Sequence, residues 1–191
     1  MGTAAPGCPV EQRSTVGEDG PRYTGRVSVR PKAQGPTQKR PTQKRPTQQR
    51  LAQEVTTHSP EETVAFARTL KDLLAPPKLV LLRGDLGAGK TTLVKGIAAA
   101  FEAAAEEDVT SPTFTLVHEY RGPQATLYHI DLYRIDTLRE LETLALDDLR
   151  SDNSILLIEW GEKFPRLLHE RDVEIALERE GENQRQIRVS A

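Results

Sequence analysis

The sequence has a single cysteine, Cys8, and no apolar run near the ~20 residues that span a bilayer. One thiol cannot close an internal disulfide, so the chain is expected in a reducing cytoplasm, and without a cysteine partner it is a poor metal anchor. The opening MGTAAPGCPV lacks the basic flank and apolar stretch of a secretory signal, and Pro6 departs from the myristoylation pattern. No membrane association is expected. At 191 residues with 37% apolar content, the chain suits one domain plus an appendage and excludes a large multidomain enzyme.

Charge and apolar residues are unevenly shared. Residues 1–50 carry 10 Lys+Arg and 3 Asp+Glu, a net of +7, while residues 51–191 carry 16 and 25, a net of −9. Only 10 of the first 50 residues are apolar, against 60 of the following 141. Such a segment buries too little apolar surface to offset the entropy of ordering it, so a disordered basic extension is expected over 1–50 and the folded domain over 51–191. The extension ends in a repeat, Pro36-Thr37-Gln38-Lys39-Arg40, then Pro41 to Arg45, then Pro46 to Arg50. Proline at every fifth position excludes helix. Basic side chains on extended backbone can touch RNA phosphates, but no aromatic residue in the repeat could stack a base, and a dispensable extension is the plainer reading.

From residue 51 the pattern alternates. Val55–His58 reads as a short strand; Ser59-Pro60-Glu61-Glu62 then combines a capping box with Pro at the first helical position. Phe66, Ala67, Leu70, Leu73 and Leu74 share one helical face, and Pro76-Pro77 is expected to end that helix. Leu79–Leu82 is wholly apolar, as a strand buried on both faces of a mostly parallel sheet requires. A helix is expected from about Lys90 with Leu93, Ile97 and Phe101 on one side, and another from Thr137 to about Leu149. Further strands are expected at Phe114–Tyr120, Thr126–Asp131, Ile155–Glu159, Asp172–Leu177 and Ile187–Val189, the last of them pairing antiparallel at an edge. The class that follows is an α/β sandwich: a central, mostly parallel sheet with helices on both faces.

The sharpest motif is Gly84-Asp85-Leu86-Gly87-Ala88-Gly89-Lys90-Thr91, followed by Thr92. It fits G-x-x-x-x-G-K-[ST], the phosphate-binding (P-loop) pattern, between an expected buried strand and an expected helix. The glycines allow backbone N–H groups to approach phosphate oxygens, and the following helix adds its positive end. Lys90 is expected on the β- and γ-phosphates of a nucleotide and Thr91 on Mg²⁺. The metal also wants a carboxylate at the end of a neighbouring strand. Glu159 ends the purer apolar strand and is the expected ligand, direct or through water. Asp131, ending a more mixed strand, is expected either next to the ligands or orienting the attacking water. Thr113, in Thr110-Ser111-Pro112-Thr113, is either a γ-phosphate donor or part of a plain turn. Trp160 is either a packing anchor or a contact of the nucleotide. His129 shares a strand face with Asp131 and reads as packing or as support for a ligand. No Asn/Thr-Lys-x-Asp segment for guanine is present, which favours ATP; nothing visibly supplies an arginine finger, so either Arg134 or Arg121 serves or a partner protein completes the site, and weak turnover by the isolated protein is expected.

The segments GDLGAGKTT (84–92), TSPTFTLV (110–117), YHIDLYR (128–134) and IEW (158–160) occur in the order seen in the bacterial TsaE family, which the chain resembles over about residues 55–190. The resemblance implies a P-loop NTPase-like fold and an ATPase for threonylcarbamoyladenosine (t6A) synthesis in tRNA. It implies that Leu86 to Thr91 bind ATP phosphates, that Thr91 and Glu159 hold Mg²⁺, and that Asp131 serves hydrolysis. Thr92 and Trp160 match positions that affect nucleotide binding or turnover. The implied partners are TsaD and TsaB, whose complex the ATP cycle resets. Any contact with tRNA, at the adenosine next to the anticodon, would be indirect or weak. One departure is Gly161, where many relatives place Pro after the Trp; it leaves the contacts of Glu162 open. Two other classes fit the loop: a small-molecule kinase, for which Arg166 and Arg171 make a sparse lid, and a nucleotide-dependent RNA-associated interaction module.

Overall fold

The structure, a computed structural model, describes residues 51–191. The basic extension expected over 1–50, its repeats and Cys8 lie outside the described residues. In chain order the elements are β1 (Leu51–Thr57), α1 (Pro60–Thr69), β2 (Lys78–Arg83), α2 (Lys90–Ala100), β3 (Val117–Arg121), β4 (Thr126–Asp131), α3 (Leu138–Thr143), β5 (Ser154–Glu159), α4 (Pro165–Glu170), β6 (Val173–Arg179) and β7 (Arg185–Ser190).

All seven strands form one sheet in the order β1-β7-β6-β2-β5-β4-β3. The central four, β6-β2-β5-β4, run parallel, while β3 and the β7–β1 pair close the two sides antiparallel. Alternation along the strands divides the core in two. Val80, Leu82, Leu127, Ile155 and Leu157 face α1 and α2. Leu79, Leu81, Ile130, Leu156 and Ile158 face Leu141 of α3 and Leu167 of α4. Burial on both faces is why β2 and β5 read as unbroken apolar runs. Helices on both faces of a mostly parallel centre are the expected architecture.

Local chemistry sets the boundaries. The Ser59 hydroxyl caps α1 by accepting from Glu62 N at 3.1 Å, and Pro60 occupies the first turn. The helix stops at Thr69, short of the expected Pro76-Pro77, because Leu70 N and Lys71 N turn to carbonyls three residues back; Leu70 and Leu74 still reach the core. The Thr137–Glu140 capping box opens α3 as expected, but α3 ends at Thr143 instead of near Leu149. Ala145 takes a left-handed φ of 47°, and the following turns keep Leu146 buried. β3 begins at Val117, three residues later than expected, since Leu116 adopts φ 66° and its N–H bonds Pro112 O. β1 extends back to Leu51 through exposed residues, held by pairing with β7.

Candidate nucleotide site

Parallel strands β2, β5 and β4 deliver their carboxyl ends to one edge, with Leu82 beside Glu159 and Glu159 beside Asp131. Gly84–Gly89 turns at that edge from β2 into α2. Gly84 has φ +145°, and a Cβ there would clash with Leu177 O; Gly89 caps α2 at φ +104°. These are conformations that side chains resist. Gly89 has no side chain to cap the helix, and no acid stands in the first turn, so the N–H groups of α2 present a positive end to the loop. The Arg185 guanidinium braces the turn, its Nε donating to Ala88 O at 3.0 Å. Leu86, at the tip, is 78% exposed.

Side chains converge inside this turn. Lys90 is buried, and its Nζ donates to Gly84 O at 2.7 Å and Asp85 O at 3.1 Å. It stands 4.3 Å above the Trp160 ring and 3.8 Å from Glu159 Oε2. The Thr91 hydroxyl donates to Glu159 Oε1 at 3.2 Å. Buried His129 lies 2.8 Å from that same oxygen through Nε2. Period-two alternation puts Glu159, His129 and Asp131 on the sheet face that α2 covers. That is why the first turn of α2 meets Glu159 through Lys90 and Thr91.

Asp131 is held apart from Glu159 by its own partners. Its Oδ2 accepts from Thr113 Oγ1 at 2.5 Å and Ser111 Oγ at 3.4 Å, and its Oδ1 from Tyr133 N at 2.8 Å. Thr113 thus reaches the site through Asp131, which joins the loop before β3 to the end of β4. Trp160 leaves β5 at φ 62°, a left-handed backbone that a bulky side chain takes only at a cost of about 1–3 kcal/mol. Its ring packs on Tyr133 at 5.2 Å as well as beneath Lys90.

The expected residues Gly84 to Thr91, Thr113, Asp131, Glu159 and Trp160 are therefore together. Thr92 faces elsewhere. It lines a notch of about 40 Å³ with Ser59, Pro60, Thr63, Gly89, Asn183 and Arg185. Sequence reasoning missed Thr63, Asn183 and Arg185, since only the β6–β7 hairpin brings the latter pair beside the loop. Of the two arginines, Arg121 pairs with Thr126 at the opposite end of β4 from Asp131 and binds Glu119, so it is not a finger. Arg134 rests its guanidinium 5.1 Å from the exposed Phe114 ring.

Two buried carboxylates against one ammonium leave surplus negative charge, and the oxygen donors of Thr91 and Glu159 suit a hard cation such as Mg²⁺. Among the described residues no three His, Cys, Asp or Glu side chains form a ready metal cage. Mg²⁺ asks for none, since it keeps waters and shares phosphate oxygens.

A glycine loop from a central parallel strand into a helix, flanked by acid-ended strands, defines a P-loop NTPase-like α/β sandwich. Comparison with known proteins narrows this: the family model described as Threonylcarbamoyl adenosine biosynthesis protein TsaE matches residues 57–187, and the chain belongs to that family. The tRNA threonylcarbamoyladenosine biosynthesis protein TsaE of Bacillus subtilis is 37% identical over 135 residues, 71% of this chain and 83% of the relative. Its Aquifex aeolicus counterpart is 38% identical over 141 residues, 73% of this chain and 96% of the relative. The crystal structure of Bacillus subtilis YdiB superposes with a TM-score of 0.60 at 32% identity, covering 75% of this chain and 87% of that one. The family places the chain in t6A biosynthesis, and among the described residues no helix is long and apolar enough to cross a membrane.

Proposed function

We propose that the chain is a Mg²⁺-dependent ATPase whose cycle serves t6A formation by resetting a TsaB–TsaD-type complex. The observation that carries this reading is the convergence of Lys90, Thr91, Glu159 and Asp131 at the mouth of the glycine loop. The loop N–H groups and the α2 end take the phosphate oxygens, and Lys90 leaves its resting bonds on Gly84 O and Asp85 O for the β- and γ-phosphates. Thr91 and Glu159 would hold Mg²⁺, and the ion would supply charge neutralisation for the phosphoryl oxygens. Asp131, fixed by Thr113, Ser111 and Tyr133 N, orients the attacking water and takes up its proton.

Among the described residues no arginine bonds Glu159 or Asp131, and Arg185 is spent bracing the loop at Ala88 O, so the isolated chain turns over slowly and a partner completes the site. The test is Mg²⁺-dependent ADP formation by the chain alone and with a purified TsaB–TsaD pair, Lys90→Ala serving as blank. Slow basal turnover stimulated by the pair and absent in the blank is expected. An isolated rate of order 1 s⁻¹ or faster would sink the partner dependence. Phosphate passed to an acceptor other than water would point to a kinase.

A further inference from the structure

We infer that His129 is a positioning residue that fixes the Glu159 carboxylate for its cation. The inference rests on the reading that Glu159 holds Mg²⁺. His129 is fully buried in the middle of β4, between Leu127 and the Leu157 strand position, where an aliphatic side chain would pack without polar cost. Its Nδ1 is buried with no hydrogen-bond partner, so only Nε2 compensates for burying the ring. That nitrogen lies 2.8 Å from Glu159 Oε1. An ionised carboxylate only accepts, so Nε2 carries the proton and the imidazole is the donor.

The consequence is a division of labour between the two carboxylate oxygens. Oε1 is pinned by His129 Nε2–H, while Oε2 faces Lys90 and the loop. The Thr91 hydroxyl also donates to Oε1, but it is itself a metal donor and would be drawn away when a cation binds. His129 holds no other polar group, and its bond to Glu159 survives that exchange. Carboxylates that ligate metals depend on such outer hydrogen bonds, whose loss typically lowers metal affinity about 10–100-fold.

The test uses the full-length chain with ADP present and Mn²⁺ as the probe, free Mn²⁺ being read by electron paramagnetic resonance. Nucleotide binding without metal is read separately, in EDTA, from the fluorescence of Trp160, the only tryptophan in the chain. His129→Leu should weaken Mn²⁺ binding roughly tenfold or more while leaving metal-free nucleotide affinity unchanged. His129→Gln, whose amide nitrogen reaches where Nε2 stands, should recover most of the loss. Wild-type Mn²⁺ affinity in the Leu variant, or an equal deficit in both variants, would overturn the inference. If the Leu variant does not fold, His129→Gln is set against His129→Asn, whose shorter amide cannot reach Glu159. Tighter Mn²⁺ binding by the Gln variant then sustains the inference, and equal affinities overturn it. Unaltered Mn²⁺ affinity in Glu159→Gln would be a different failure, that of the reading of Glu159 as metal ligand.

Discussion

Asp131 and Glu159 are neighbours across β4 and β5, yet their surroundings assign them different work. Glu159 faces the Lys90 ammonium, whereas Asp131 is held by hydroxyl and backbone donors of the loop before β3 and the turn after β4, which leave room on Oδ1 for one further donor. An acid so held suits orientation of water better than charge neutralisation. Asp131→Asn should therefore lower single-turnover hydrolysis about 10²–10⁴-fold, with little change in nucleotide affinity measured by Trp160 fluorescence. A parallel loss of affinity would instead make Asp131 part of the binding site. Trp160 invites a second substitution. Its strained backbone is sustained by a ring wedged between Lys90 and Tyr133. Trp160→Gly relieves the strain but also removes a large ring packed on Tyr133 and the core, a loss that outweighs one strained residue, so the melting temperature should fall. Nucleotide affinity by calorimetry should fall several-fold, because Lys90 loses the surface that aims it.

At the scale of elements, the loop is only as well placed as the helix behind it. α2 lies close enough to α1 that a Cβ on Gly96 would clash with Val64 O and the Ala67 methyl. Gly96→Ala should cost about 1–3 kcal/mol in urea unfolding, by forcing the helices apart, although alanine is the better helix former. A wild-type midpoint would mean that α1 yields freely. The α3 cap adds a pH signature. Backbone N–H groups of Asp136 and Thr137 hold the Glu140 carboxyl below its ordinary range. A depressed folded value gives stability that is present above the unfolded value, about 4.3, and lost as pH falls through the folded one. Glu140→Gln should thus be less stable than wild type at neutral pH, and the difference should close in acid.

These elements also show what could be read from the chain beforehand. β4 was legible to the residue, because alternation and a terminal acid mark it, and β5 was legible because burial on both faces leaves an apolar run. β1 was half legible: its first residues are exposed and polar, and only pairing with β7 makes them a strand. α4 was not seen, since six residues beginning at Pro165 hold too little periodicity to register. The site followed the same division. Lys90, Thr91, Asp131 and Glu159 announce themselves by motif and strand end, whereas Asn183 and Arg185 reach the loop only through a hairpin distant in sequence.

For the whole molecule, the decisive asymmetry is electrostatic. Residues 51–191 carry a net charge of −9 and contain every element of the sheet, while residues 1–50 carry +7. A surface that negative repels RNA phosphates, so whatever affinity the full chain has for tRNA should reside in the first 50 residues. Contacts of that kind release counterions and weaken steeply with salt. Deletion of 1–50 should leave the melting temperature and any affinity for nucleotide unchanged, because the capped helices, both core faces and the loop remain. In filter binding, the full chain should hold tRNA weakly at low salt and lose it as salt rises, and the shortened chain should not bind at any salt. Equal, salt-insensitive binding by the shortened chain would place the RNA contact on the sandwich itself, against its net charge of −9.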